Sequence, residues 1–437
     1  MKQILLIALM ALASVEAQAQ LPSKGPDIHL GVTSCGGSTC HGATQPVRGS
    51  QVLQNEYLIW QRQDKHAKAY AVLLEPRSQR IAKNLGLPNA HEAKVCLDCH
   101  ADNVAENLRG RQFQISDGVG CEGCHGGGQR WLGAHVSGVT PTAELQKLGM
   151  YATEDPVARA ELCLSCHLGD ETRFVTHRIM GAGHPRLAFE LDTFTEIQPA
   201  HYQIDDDYRK RKTVASGVQT WAVGQAMAVS RTMAGLADAG RRMAGAFPEL
   251  SFYDCHACHH PMSNLRWQAR DGTGVGPGMI RFNDANLLML RLLARRLAPE
   301  EGQALTTQLQ SLHAAMSEGR GDISAAAREL KAVSDRLVQR FARHRFVADD
   351  MRALMTALVA DGRGGQFNDY GGAEQATMAL ASLAQALRRI GGATEAQYNE
   401  LKAAIEQCYA ATAKDEAYDP AVFARALEGV ERAAPRS

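Results

Sequence analysis

Residues 96–100 of the chain are Cys96-Leu97-Asp98-Cys99-His100, two cysteines separated by two residues and followed at once by a histidine. The same spacing recurs at Cys121-x-x-Cys124-His125, Cys163-x-x-Cys166-His167 and Cys255-x-x-Cys258-His259. This order is the attachment signature of c-type haem. Two thiols add to the two porphyrin vinyl groups, and the next residue places an imidazole under the iron as its proximal ligand. The four frames predict four covalently bound haem c groups.

A fifth attachment frame is predicted near the start of the chain, at Cys35-Gly36-Gly37-Ser38-Thr39-Cys40-His41. Here four residues separate the cysteines, and the flexible glycines allow the insert to bulge away from a porphyrin. The alternative is a disulfide between Cys35 and Cys40. Because His41 directly follows the second cysteine, we expect a fifth haem c. The remaining cysteine, Cys408, is expected to be a buried free thiol.

Other uses of paired cysteines fit the sequence less well. Structural zinc does not require a histidine after every second cysteine. Thioredoxin-like motifs occur singly in a βαβ context, and iron–sulfur clusters need other spacings. Covalent haem is therefore the interpretation that explains the whole frame.

Each haem iron that is closed on both faces needs a second axial ligand in addition to the motif histidine. The histidines that we expect to fill this role are His66, His135, His177 and His184, followed by His29 and His201. A methionine ligand, Met180 or Met262, remains an alternative that would raise the potential of its haem. His313 and His344 lie far from any haem motif and are interpreted as core or surface residues.

Charge and the N-terminal residues indicate an exported protein. The chain has 47 basic and 47 acidic residues, which argues against a nucleic-acid-binding surface or a polybasic membrane anchor. Lys2, an apolar stretch at 4–13 and Ala17-Gln18-Ala19 predict a cleavable signal peptide at 1–19. No later stretch reads as a transmembrane anchor. We therefore expect a periplasmic or otherwise exported location.

The predicted fold class is mainly α, in two parts. Residues 20–265 hold all five motifs, fewer than 50 residues for each, so stacked haems would form the core, wrapped by short helices and long loops. Residues 266–278 read as a linker. Apolar residues then recur at helical spacing, which predicts a haem-free helical bundle at 279–437. These stripes are Leu305, Leu309, Leu312 and Met316; Leu330, Val333, Leu337 and Phe341; and Leu380, Leu383, Leu387 and Ile390.

The first part resembles the multihaem family of the nitrifier tetrahaem cytochrome c-554, which is related in haem arrangement to hydroxylamine oxidoreductase. The resemblance covers roughly residues 30–265. It lies in Tyr57-Leu58-Ile59-Trp60, His66-Ala67, the motifs at 96–100 and 120–126, Gly183-His184-Pro185-Arg186-Leu187 and the late motif at 255–259. It implies pairs of stacked haems with mostly two histidine ligands, and a periplasmic electron carrier. This chain departs from the family in having five motifs, a longer first spacer and an extra helical part.

Two functions follow from these motifs. The first is electron transfer between redox partner proteins, because an iron with two histidine ligands has no position left for a substrate. The alternative is a haem enzyme acting on a nitrogen oxide or hydroxylamine at one open iron, as in the family's best-known member, with His201 and Asp205 to Asp207 as acid–base candidates. A haem sensor or scaffold is a third reading. We expect an electron carrier and assign no catalytic residue.

Overall fold

The computed structural model of the chain describes residues 20–47, 53–259, 275–276 and 279–435. The predicted signal peptide at 1–19, most of the predicted linker and Met262 lie outside the described residues. Within the described part the fold is mainly α, as predicted. Its strands there form one small hairpin, β1 (Met243–Ala244) and β2 (Phe247–Pro248).

Short helices joined by long loops make up the first part of the fold, also as expected. They are α1 (Glu56–Gln63), α2 (Ala69–Leu73), α3 (Pro76–Leu85), α4 (Lys94–His100), α5 (Cys121–His125), α6 (Leu132–Val136), α7 (Thr142–Lys147), α8 (Pro156–His167), α9 (His177–Gly181), α10 (Leu191–Ile197) and α11 (Asp206–Arg211). Three of them, α4, α5 and α8, end at a motif histidine. The helical turn therefore holds both cysteines and the histidine of a motif on neighbouring positions.

Longer helices form the second part. They are α12 (Gly217–Ala237), α13 (Ala239–Arg242), α14 (Ala285–Leu297), α15 (Pro299–Glu318), α16 (Ile323–Arg343), α17 (Ala348–Arg363), α18 (Tyr370–Arg389), α19 (Glu395–Ala411) and α20 (Pro420–Ala433). The predicted stripes of α15 and α16 face the core, apart from Met316 at its edge. In α18 the stripe ends one turn early, because Ile390 caps the helix and is 51% exposed. Within the part of the chain that the structure describes, no helix has the length and apolar character needed to cross a bilayer.

One continuous core links the two parts of the chain. Its buried apolar side chains run from Ala160 on α8 to Val430 on α20. Helix α12 lies inside this core and packs against α14, α16 and α18. Trp221, Met233 and Leu236 of α12 are completely buried, and burial of each such side chain contributes roughly 1.5–3 kcal/mol. The helical bundle thus includes a helix from the segment that carries the motifs.

The first part of the fold has little apolar core of its own. A small cluster of five buried residues joins α2, α3 and α4: Leu73, Ala82, Ala90, Leu97 and Ala101. From the motif region before α12, the large core takes only Ala160, Leu164 and Leu191 as buried members. The free energy gained by burying clusters of this size is small compared with the conformational entropy that is lost when so many residues are ordered.

Candidate functional site

Each of the five motif histidines faces a second histidine ring. The pairs, with the distances between ring centres, are His41–His135 (5.9 Å), His100–His184 (6.4 Å), His125–His201 (6.3 Å), His167–His66 (6.0 Å) and His259–His177 (6.2 Å). We number these sites 1 to 5 in that order. A metal held between two imidazole nitrogens, at about 2 Å from each, places the ring centres about 6 Å apart. The spacing at every site therefore fits one iron between two histidines.

The cysteines of the motifs are available for attachment. All ten are free thiols, half-buried except for Cys40 and Cys258, which are exposed. Cys35 and Cys40 are not joined in the disulfide that was the alternative for site 1. Cys408 is buried and free, in agreement with its expected role.

No group of three or more His, Cys, Asp or Glu side chains in the described residues is placed to hold a metal ion by itself. A porphyrin supplies four ligands to its iron and leaves two for the protein. The paired histidines provide this number at each site.

Hydrogen bonds orient four of the ten paired rings through their Nδ1 atoms. Such a bond leaves Nε2, on the opposite side of the ring, for a metal, and it selects the tautomer that can bind one. The Nδ1 contacts are His41 with Glu56 Oε2 (2.9 Å), His66 with Asp64 Oδ1 (2.8 Å), His100 with the Ala69 carbonyl (3.0 Å) and His184 with the Pro185 carbonyl (2.8 Å). Sequence reasoning did not single out Glu56 or Asp64, although Asp64 stands only two residues before His66.

Burial keeps several of these imidazoles in the neutral form that binds metals. It lowers the pKa of His125 to about 3 and that of His167 to about 4. Burial also lowers the pKa values of His100, His135 and His201. The two rings that bond to carboxylates differ, since Glu56 raises the pKa of His41 and Asp64 raises that of His66.

His29 and His201, the two second-rank candidates, lie in different surroundings. The ring of His201 faces His125 at site 3. His29 is 1% exposed, its Nδ1 lies 2.6 Å from Asp102, and the Pro22 backbone provides a further hydrogen bond. Its ring nitrogens are therefore engaged with protein groups. His313 and His344, which were expected to be core or surface residues, lie 3.3 Å from Asp284 and 3.2 Å from Asp350.

Cysteines of neighbouring sites lie near one another. The Cys35 thiol of site 1 lies against Cys121 of site 3, and Cys99 of site 2 lies against Cys166 of site 4. Cys163 of site 4 also interacts electrostatically with Cys124 of site 3. Sites 1, 3, 4 and 2 therefore follow one another in space in that order, which differs from their order along the chain.

Site 1 also contains a buried donor without a partner. The indole ring of Trp131 is 5% exposed, and its centre lies 5.7 Å from that of His135. Its Nε1 makes no hydrogen bond. A buried donor left unpaired costs about 1–3 kcal/mol, and a haem carries carboxylates that accept such a bond. The surroundings of site 1 thus fit a bound haem.

The acidic residues considered as acid–base groups belong to α11. Asp205 caps this helix by accepting from the Tyr208 backbone N–H, and Asp207 pairs with Arg211 at 2.7 Å. Both contacts are local to α11 and stabilise its ends.

Comparison with known proteins supports the resemblance seen in the sequence. Residues 34–126 match the family model described as cytochrome c554 and c-prime. This segment contains the motifs of sites 1, 2 and 3. The match supports a c554-like, c-type cytochrome, and this family implies haem c. No curated protein and no solved structure matches the chain.

Proposed function

We propose that the protein is an exported c-type cytochrome that holds five haem c groups, each between two histidines, and carries electrons between redox partner proteins. The observation that carries this proposal is the pairing of all five motif histidines with a second ring at 5.9–6.4 Å. Five independent pairs of this spacing would not be expected from a fold without metal between the rings.

Attachment and ligation are divided among the motif and paired residues. The cysteines proposed to carry the haems are Cys35 and Cys40, Cys96 and Cys99, Cys121 and Cys124, Cys163 and Cys166, and Cys255 and Cys258. The proximal ligands are His41, His100, His125, His167 and His259, and the distal ligands are His135, His184, His201, His66 and His177. His29 is left out of this set because its ring is hydrogen-bonded to Asp102 and to the Pro22 backbone.

Bound haem c supplies an iron that gains or loses one electron between its ferrous and ferric states. A reduced redox protein donates the electron and an oxidised redox protein accepts it, so no bond in the chain forms or breaks. The paired imidazoles would hold the iron from both sides and leave no position for a substrate. The nearness of cysteines of sites 1 and 3, and of sites 2 and 4, supports electron exchange between neighbouring haems.

The same pairing argues against the enzyme alternative. An open iron requires a motif histidine without an opposing ligand. At site 2 the opposing ring is His184, held by its Nδ1 contact to the Pro185 carbonyl. Substrate binding at this site would require His184 to leave.

Intact-mass analysis and spectroscopy of the purified haem-loaded protein test the proposal. We expect a mass increment of five haems, low-spin spectra throughout and no carbon monoxide binding after reduction. His135→Ala should keep five haems and convert one to a high-spin form that binds carbon monoxide. His344→Ala, whose ring pairs with Asp350 in the helical bundle, is the control and should behave as the unchanged protein.

Two results would contradict the proposal. An increment of four haems with a Cys35–Cys40 disulfide would remove site 1. A high-spin haem in the unchanged protein that binds nitric oxide, together with turnover of a nitrogen compound, would favour the enzyme.

A further inference from the structure

We infer that site 5 adjoins site 2 at the end of the row of sites 1–3–4–2, and that the start of α18 in the helical bundle forms its wall. The inference rests on the proposed function, because it concerns the haems that these sites are proposed to hold. It assigns the haem of site 5 and the helical bundle to one structural unit.

One short segment supplies the second histidine of both sites. His177 begins α9 and faces His259 of site 5, while His184 follows seven residues later and faces His100 of site 2. The first five residues of this segment, His177–Gly181, form α9, where each residue rises only about 1.5 Å, and a turn at 182–183 precedes His184. Two sites that take a ligand from so short a segment lie close together.

Three hydrogen bonds connect the segment to α3. The Asn84 side chain donates to the Ala182 carbonyl (3.0 Å), and Arg77 donates to the Gly183 carbonyl (3.1 Å). Arg178 in turn donates to the Leu85 carbonyl at 3.2 Å. The spacing between His177 and His184 is therefore set by tertiary contacts.

The surroundings of Cys255 place site 5 at an end of the row. The charged groups that act on this thiol are Arg186, Asp254 and Asp415. By contrast, the principal neighbours of Cys35 and Cys99 are thiols of other motifs, Cys121 and Cys166. Of these three groups Asp415 lies between α19 and α20, so site 5 borders the helical bundle, whereas Cys35 and Cys99 lie beside other motifs.

Backbone pairing joins the site 5 loop to the segment that leads into α14. The Asp254 N–H donates to the Arg281 carbonyl at 3.0 Å, and the Asn283 N–H donates to the Phe252 carbonyl at 2.9 Å. Tyr253 forms a β-bridge with Phe282 between these two bonds. The loop that carries the fifth motif is therefore built onto the bundle.

Side chains at the start of α18 complete the wall. Arg186, two residues after His184, pairs with Glu374 at 3.0 Å, and its guanidinium lies 5.2 Å from the centre of the Tyr370 ring. The Tyr370 hydroxyl donates to Glu374 at 3.1 Å. The same ring lies 5.5 Å from that of His256, inside the fifth motif. Both α18 residues thus touch groups that belong to site 5 or adjoin it.

Spectroscopic markers of single sites test the order of the haems. His184→Ala gives a high-spin marker at site 2, and His135→Ala gives one at site 1. The midpoint potential of each marker is measured with and without the haem of site 5, which is removed by Cys255→Ala with Cys258→Ala. We expect the site 2 marker to shift and the site 1 marker to stay, because the charge on an iron acts on its nearest neighbour. A shift at site 1 alone, or at neither site, would overturn the inference.

A second measurement tests the wall without removing a haem. With His177→Ala as the marker of site 5, Glu374→Gln leaves the positive charge of Arg186 uncompensated. We expect the midpoint potential of the site 5 marker to rise, because a nearby positive charge favours the ferrous state. Glu395→Gln is the matched control on the same bundle, since Glu395 is 63% exposed and pairs with Arg388, and it should cause no shift. Equal effects of the two variants would contradict the inference that the start of α18 forms the wall of site 5.

Failure of the inference is distinguishable from failure of the proposed function. Five haems by mass with site 5 coupled elsewhere would overturn the inference alone. Four haems by mass, with site 5 empty, would overturn both.

Discussion

The imidazole planes of His41 and His135 lie within 14° of parallel, with their ring centres 5.9 Å apart. At sites 2, 3 and 4 the two rings are nearly perpendicular, at 86°, 88° and 89°. The rings of His177 and His259 are intermediate, at 37°. Parallel imidazoles donate into the same iron d orbital of π symmetry and raise its energy above that of the second such orbital. Perpendicular rings donate into both orbitals and leave their energies nearly equal. The five sites should therefore differ in their electron paramagnetic resonance.

The ring angles predict two rhombic low-spin signals, from sites 1 and 5, and three strongly anisotropic ones, from sites 2, 3 and 4. His135→Ala should remove one rhombic signal and leave the anisotropic signals in place. His201→Ala, the matched variant at site 3, should do the reverse. Resonance spectra of the oxidised protein check this. Loss of an anisotropic signal in His135→Ala would mean that His135 belongs to another site.

The choice between His201 and His29 predicts opposite results for two similar replacements. His201→Ala should convert one haem to high spin, because His201 faces His125 of site 3. His29→Gln should leave every haem low-spin and lower stability instead, by about 1–3 kcal/mol for a disrupted buried hydrogen bond. Optical spectra and urea unfolding separate the two effects. A high-spin haem in His29→Gln would return His29 to the set of ligands.

The hydrogen bond between Asp64 and His66 is expected to lower the midpoint potential of the haem at site 4. The Asp64 carboxylate accepts from His66 Nδ1 and makes that ring a stronger donor, which stabilises ferric iron. Asp64→Asn should raise the midpoint potential of one haem by up to about 60 mV, the value of a tenfold change in a one-electron equilibrium. Asp349→Asn, at a position where the side chain is 76% exposed, is the control in a potentiometric titration. No shift in Asp64→Asn would show that His66 is not a ligand.

Asp192 predicts a pH-dependent stability outside the haem sites. Its carboxyl is buried beside Glu190, Ser382, Glu196 and Arg389, and burial raises its pKa to about 7.

The folded state therefore holds a proton that the unfolded state releases between about pH 4 and 7, so stability falls over that range. Asp192→Asn should match the unchanged protein near pH 4 and be more stable at pH 8, by a few kcal/mol. Urea unfolding at several pH values measures this difference. A difference that is independent of pH would rule out titration of Asp192 as its cause.

Helix α12 predicts how the bundle behaves as a fragment. Residues 279–437 alone should be colourless and helical, but should expose the faces of α14 and α16 that α12 covers. A fragment of 214–437 with Cys255→Ser and Cys258→Ser retains α12 and should melt more cooperatively. Circular dichroism melts and binding of an apolar dye compare the two. Equal melting of both fragments would show that α12 adds nothing to the bundle.

Sequence patterns predicted the helices of the bundle because their apolar residues repeat every three to four positions. The prediction for Ile390 was wrong. This residue continues the apolar spacing of α18, but the helix ends there and the side chain is exposed. Sequence patterns also did not assign α12 to the bundle, although its side chains Trp221, Met233 and Leu236 lie in the bundle core. A periodic stripe predicts that a helix face is buried, and only packing decides against what.

The sequence by itself determined the five attachment frames, because two thioether bonds and a proximal ligand must come from residues that follow one another in the chain. The tertiary structure decided which second histidine meets each one. It brings His66 to His167, 101 residues later, and His135 to His41. It also turns His29 to Asp102 and leaves His201 for site 3. The physical reason is that axial pairing depends on distance in space, which the folding of the whole chain sets.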